Sequence, residues 1–205
     1  MMEYATILCD PPWKFRVYDE STGRGRSAEA WYDCLSLEEI KALPIGDFAA
    51  RDCTLFMWVT DPFLQKGLEV LNAWGFEFKT VGFYWAKCAE HPTNPCISGA
   101  ANWPIGTGYW TRANPEQCLL ATRGSPHRKN ADVRKLIIAP RREHSRKPDE
   151  IYTRIERLCE GPYLELFARR QYLGWDHLIS DEADSGPNER RCKSSGKSIN
   201  LLEGS

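Results

Sequence analysis

Six residues near the start of the chain, Tyr4 to Cys9, form an apolar run rich in β-formers, and the run stops at Asp10-Pro11-Pro12. Such a run reads as a buried strand. Neither proline offers an N–H to a sheet ladder, and the pair does not start an ordinary helix. The strand must therefore end at Asp10, leaving a carboxylate, two stiff residues and Trp13 beyond its carboxyl end.

The rest of the chain alternates in the same manner. Ser36-Leu37-Glu38-Glu39 has the form of a capping box and opens a short helix that Pro44 closes. Cys53–Val59 reads as a second strand, and Asp61-Pro62 as a helix N-cap with proline at the first helical position. Leu64, Leu68 and Leu71 supply the apolar stripe of that helix, which Gly75 ends. Phe76–Lys87, with a bulge at Gly82, Gln117–Thr122 and Lys135–Ala139 read as three more strands. Pro148 begins a helix with Ile151, Ile155 and Leu158 on one face and Gly161 past its end, and Tyr163–Ala168 is the last clear strand. Strands alternating with helices predict an α/β sheet with helices on both faces, whose ligands bind beyond the carboxyl ends of strands. Asp10 and Arg169 both fall on that edge. Trp58, Trp74 and Trp110 are expected in the core. The long segment Lys14–Asp33 is expected to be a mobile, functional loop. Residues 1–180 are expected to form one domain and residues 181–205 a polar, flexible tail.

Composition narrows the function classes. The chain has 205 residues and a net charge of −1, so overall charge does not point to nucleic acid. Its distribution does: Arg123–Lys147 holds nine Lys and Arg against two acids, Asp132 and Glu143. Such a segment suits phosphates, or is a solvated loop neutralised by acidic neighbours. The eight cysteines include no C-x-x-C pair, and Cys9, Cys53 and Cys118 lie in apolar runs, so no metal site is expected. There is no membrane-length apolar stretch and no signal-peptide pattern, and a cytoplasmic protein is the expectation.

Asp10-Pro11-Pro12-Trp13 carries the most specific chemistry. The Asp10 carboxylate is a strong acceptor, and the Pro11 carbonyl has no donor on the following residue because Pro12 lacks an N–H. The two acceptors suit the two hydrogens of an NH₂ group, while Trp13 offers a surface on which a base can stack. Gripping both hydrogens of an aromatic amine favours a nitrogen with a directed lone pair, able to attack a methyl group in line. Positioning and electrostatics then supply the catalysis.

The tetrapeptide is one of several ordered blocks. The others are Leu55-Phe56-Met57-Trp58-Val59-Thr60, Leu71-Asn72-Ala73-Trp74-Gly75-Phe76, Thr107-Gly108-Tyr109-Trp110, Glu116-Gln117-Cys118-Leu119, Ser145-Arg146-Lys147-Pro148-Asp149-Glu150-Ile151-Tyr152, Glu165-Leu166-Phe167-Ala168-Arg169, and Trp175. From Tyr4 to Trp175 the chain resembles the adenine amino-methyltransferase family that includes the catalytic subunit of the eukaryotic mRNA adenosine methyltransferase and bacterial and phage relatives. The resemblance implies a Rossmann-like sheet that binds S-adenosylmethionine, with the catalytic block preceding the main cofactor block. It implies catalytic roles for Asp10, Pro11, Pro12 and Trp13, and cofactor contacts by Asp10, Lys147, Phe167, Arg169, Gln171 and Tyr172. Lys147 would hold the cofactor carboxylate and Arg169 the ribose hydroxyls. Tyr32 matches an aromatic of a first gating loop, and Arg141, Arg142 and His144 fall in a second, on the substrate side. Gln171 and Tyr172 replace a His-Asn pair of the eukaryotic subunit, and the Gly-Asn pair that follows Trp175 in relatives is missing.

The leading expectation is methylation of the adenine amine in DNA. The alternatives are the same reaction on RNA, a catalytically silent nucleic-acid-binding subunit of a methyltransferase complex, and a small-molecule amine methyltransferase. A homodimer is expected, through apolar and aromatic surface between Phe83 and Trp110.

Overall fold

The computed structural model describes residues 3–13, 35–89, 103–104, 106, 110–142, 146–168 and 170–178. Seven strands form one sheet: β1 (Tyr4–Cys9), β2 (Ala49–Val59), β3 (Glu77–Cys88), β4 (Glu116–Arg123), β5 (Leu136–Pro140), β6 (Tyr163–Leu166) and β7 (Trp175–Leu178). Their order across the sheet is β5-β3-β4-β2-β1-β6-β7. β1 pairs in parallel with β2 and β6, β3 with β5, and β6 with β7, while β4 runs antiparallel to both β2 and β3. The carboxyl ends of six strands thus share one edge with the amino end of β4.

Alternation along β2 shows why the sheet is covered on both sides. Cys53, Leu55, Met57 and Val59 enter one buried cluster, and Phe56 and Trp58 enter the other. A strand buried on both faces reads as a continuous apolar run, as Cys53–Val59 does. Helices α1 (Leu37–Ala42) and α2 (Leu64–Ala73) cover the first face through Ile40, Val70 and Leu71, and α3 (Glu150–Leu158) covers the second through Ile151 and Ile155. The capping box of α1 is formed: the Glu39 amide donates to Ser36 Oγ, and the Ser36 amide to Glu39 Oε2.

Several expectations are corrected. β2 begins at Ala49 rather than Cys53. Asp61 does not cap α2: Asp61–Phe63 is a 3-10 turn with Thr60 at its N-cap, and Asp61 Oδ1 accepts from Gln117 Nε2 at 3.2 Å. The last strand of the described chain is β7, so Tyr163–Leu166 has a neighbour that the sequence reading lacked. Trp58 and Trp74 are core, but Trp110 is 91% exposed. Phe83 and Trp85 lie in the second buried cluster and offer nothing to a partner. The bulge at Gly82 is present, as a register shift between Val81 and Phe83. The segment 14–34 and the tail from residue 179 onward lie outside the described residues.

The reversal of β4 divides the basic segment. Arg123 ends β4, and Arg128, Lys129, Arg134 and Lys135 lie between it and the start of β5, at the edge where the six parallel strands begin. There the Arg123 guanidinium donates to the Gly46 carbonyl, Lys129 pairs with Glu160, and Asp132 pairs with Arg157. Only Arg141, Arg142, Arg146 and Lys147 follow β5 onto the opposite edge, the one where Asp10 lies.

α2 approaches β2 closely at Gly67, where an added Cβ would sit 2.8 Å from Val59 Cγ1. Helix propensity favours Gly67→Ala by about 1 kcal/mol. Overpacking against a β-branched side chain outweighs that gain. Chemical denaturation should show Gly67→Ala less stable by about 1–2 kcal/mol; a variant at least as stable as wild type would mean that Val59 yields.

Candidate functional site

β1 leads into Asp10, β2 into Thr60, and β4 starts at Glu116; these three strand ends converge because β2 lies between the other two. Together with Trp13, Trp58, Val59 and Lys147 they line a small, solvent-open cleft. Lys147 occupies its charged centre. Its ammonium donates to Asp10 Oδ2 at 2.8 Å, approaches Glu116 Oε2 at 3.3 Å, and sits 5.6 Å from the centre of the Trp58 ring. The other oxygen of Glu116 accepts from Lys87 Nζ at 2.5 Å. Lys87 is held in turn by Asn114, whose side chain accepts from its amide and donates to its carbonyl. The chain Lys87–Glu116–Lys147–Asp10 alternates in charge and ties β3, β4, the approach to α3, and β1 together.

Burial alone would push the Lys147 ammonium towards its neutral form, but Asp10 and Glu116 outweigh it and raise the pKa above the ordinary lysine value. Burial likewise pushes Glu116 up, but Lys147 and Lys87 hold it below the usual carboxylate range. A cation just before a helix is unfavourable to the helix dipole. Here the two carboxylates compensate it.

Pro11 differs from the sequence reading. Its carbonyl accepts the Trp13 amide at 2.8 Å, across the intervening proline. One lone pair is thus used to fold the turn, and one remains. Trp13 is also less open than expected. Only 6% of it is exposed, one side stacks on Phe63 at 5.4 Å, and its indole N–H reaches the Trp58 carbonyl at 3.5 Å. Trp13 is a wall of the cleft, buttressed from behind, rather than a free stacking platform.

Among the described residues, two polar atoms of the cleft-lining side chains are buried without a hydrogen-bond partner: Trp58 Nε1 and Thr60 Oγ1. Each such atom costs about 1–3 kcal/mol unless something meets it. The Thr60 hydroxyl does not cap the turn that follows it.

The other expected residues are dispersed. Phe167 follows β6 with a left-handed backbone, φ 61°, uncommon for an aromatic residue. Tyr172 stacks on Tyr152 at 4.1 Å, and Gln171 Nε2 lies 3.2 Å from His177 Nε2. Arg142 and Arg146 both bond to Asp149, and Arg141 is exposed. Tyr32, His144 and Arg169 lie outside the described residues. Glu165, Glu116, Lys87 and Thr60 received no role from the sequence. A charged residue inside the otherwise apolar strand Tyr163–Ala168 was the available signal for Glu165.

A family model named MT-A70 matches residues 4–179. The chain belongs to the MT-A70 family. It is 32% identical over 192 residues to the type II methyltransferase M.MunI of Mycoplasma sp, covering 85% of this chain and 76% of that protein. It is 33% identical over 169 residues to the human N(6)-adenosine-methyltransferase catalytic subunit METTL3, covering 82% of this chain but only 26% of the relative. An MT-A70-like N(6)-adenosine-methyltransferase of Arabidopsis thaliana is 30% identical over 176 residues, with 84% and 23% covered. As an MT-A70 protein the chain is an adenine methyltransferase that uses S-adenosylmethionine. The site fits that cofactor: Asp10 and Lys147 present a carboxylate and an ammonium 2.8 Å apart, the complement of an amino acid's own ammonium and carboxylate. The β1–β6 junction beside Asp10 is the switch point of the sheet, because β1 leads to β2 on one side and β6 leads to β7 on the other.

Glu165 supplies a pH-dependent signature of this edge. Burial pushes its carboxyl up to about 8 from an ordinary 4.5; the hydrogen bond from Tyr152 opposes the shift, and the Asp10 charge adds to it. The folded protein keeps this proton where the unfolded chain has released it. The associated stability is therefore fully present below pH 4.5 and is lost as pH rises through about 8. Glu165→Gln, which keeps the shape and cannot ionise, should reduce the loss of unfolding free energy between mildly acidic and alkaline buffer by about 2–4 kcal/mol. Denaturant titrations at both pH values measure this, and an unchanged pH slope would refute the buried-acid assignment.

Proposed function

We propose that this protein methylates the exocyclic amine of adenine in DNA, with Asp10 as the principal acceptor for the amine. The observation that carries the reading is the Asp10 carboxylate, fixed by Lys147 between the strand switch point and the cleft on the β2/β4 side. Asp10 and the remaining lone pair of Pro11 accept the amine hydrogens, and Pro12 and Trp13 fix the turn that aims them. Bound S-adenosylmethionine supplies an electrophilic methyl group. Lys147 and Asp10 hold its amino-acid end, while Phe167, Arg169, Gln171 and Tyr172 border it on the β6/β7 side. Tyr32, Arg141, Arg142 and His144 approach the nucleic acid. A bacterial-type enzyme of the cytoplasm fits this reading. DNA is favoured over RNA on the likeness to the type II methyltransferase M.MunI.

Two outcomes test the reading. Labelled S-adenosylmethionine incubated with parallel DNA and RNA, followed by nucleoside analysis, should yield methylated adenine from DNA; label in RNA alone would transfer the reading to RNA. Asp10→Asn places an NH₂ where an acceptor oxygen faced the substrate amine, and should lower turnover roughly 100-fold with circular dichroism unchanged. A folded Asp10→Asn variant with wild-type turnover would remove Asp10 from the chemistry.

The protein is further proposed to pair as a homodimer. Tyr84 on β3 lies opposite Leu136 on β5, and Ile138 stands two residues further along β5; all three are exposed on one sheet face beside an edge strand. Light scattering at micromolar concentration should show a dimer for wild type and a monomer for Leu136→Glu. A wild-type monomer would end the idea.

A further inference from the structure

The cleft contains more hydrogen-bonding capacity than gripping an amine requires. Asp10 and Glu116 are acceptors, suited to a ligand's donors. Trp58 Nε1 can only donate, and the Thr60 hydroxyl can donate too; both residues line the cleft, and neither atom has a hydrogen-bond partner among the described residues. An occupant that satisfies this cleft must carry acceptors beside its NH₂. A ring nitrogen flanking an exocyclic amine is such a group, and a keto oxygen in place of the amine is not, because it would face the carboxylates.

Sheet order sets the Thr60 and Glu116 side of the cleft apart from the side proposed for the cofactor. Thr60 follows β2 and Glu116 opens β4, on one side of Asp10, whereas the switch point and Phe167 lie on the other, towards β6 and β7. Asp10 separates the two. We propose that the Thr60 hydroxyl is a specificity-determining contact that donates to a ring nitrogen flanking the target amine of adenine, N1 or N7, and so fixes the base in its plane while Asp10 holds the amine. This assignment rests on the adenine-methylating reading above. Among the described residues the Thr60 side chain has no competing structural duty: its hydroxyl caps no helix and has no hydrogen-bond partner, whereas its carbonyl, which a substitution leaves in place, accepts the Phe63 amide.

The test uses Thr60→Val, which keeps the shape and removes the hydroxyl, and Thr60→Ser, which keeps the hydroxyl. Methyl transfer is measured on random-sequence single-stranded DNA containing adenine, 1-deazaadenine or 7-deazaadenine. On adenine, Thr60→Val should lower kcat/KM about tenfold, with Thr60→Ser retaining most of the activity and the thermal midpoint of unliganded Thr60→Val at or above that of wild type. On the analogue that lacks the partner nitrogen, wild type and Thr60→Val should become equal, while on the other analogue the tenfold ratio should persist. Comparing enzymes within one analogue cancels any change in the intrinsic reactivity of its amine. Methylation of adenine DNA by wild type with no loss in Thr60→Val, or the same loss on all three substrates, would overturn the Thr60 contact and leave the proposed function standing. Failure of wild type to methylate any adenine DNA would overturn both.

Discussion

The ammonium of Lys147 makes the interaction on which the edge around Asp10 depends. It stands just before α3, yet its partners are the first residue beyond β1 and the first residue of β4. Removing either partner leaves a charge in a place water reaches poorly, so the three elements are coupled more tightly than their backbones require. Lys87 extends the coupling by taking the other oxygen of Glu116. The arrangement is electrically alternating, and each member is held by a neighbour of opposite sign. Asp10 therefore has a defined orientation before any ligand arrives, which is the preorganisation that electrostatic catalysis demands.

What the sequence made legible was local. β1 was read with its observed ends because the two prolines forbid extension, and the capping box of α1 needs only Ser36 and Glu39. The direction of β4 was not legible, since strand polarity depends on pairing with β2 and β3, far away in the chain. That one reversal decides which basic residues share an edge with Asp10. β7 was missed because Trp175-Asp176-His177-Leu178 is short and half polar, and only pairing with β6 makes it a strand.

The candidate site was legible to the same extent. Asp10 and Lys147 stood out through their motifs, and the structure brings them into contact across 137 residues of separation. The missing N–H of Pro12 does not leave the Pro11 carbonyl free, because the donor comes from Trp13, one residue further on. Glu116 and Thr60 gained meaning only when their strands ended side by side. Thr60 in particular follows an apolar strand like many threonines, and nothing in its neighbours in the sequence announces a hydroxyl without a partner.

Asp149 has a consequence for how this edge meets a polyanion. Two guanidiniums, those of Arg142 and Arg146, share its one carboxylate, so the protein carries its own counterion there. A phosphate approaching these arginines competes with a tethered anion instead of displacing mobile ones from solution. Fewer condensed ions are then liberated per contact than the number of arginines implies, and binding through this pair loses less affinity as salt rises. It also gains less from indiscriminate attraction to any stretch of backbone, which shifts discrimination onto the groups that touch the base.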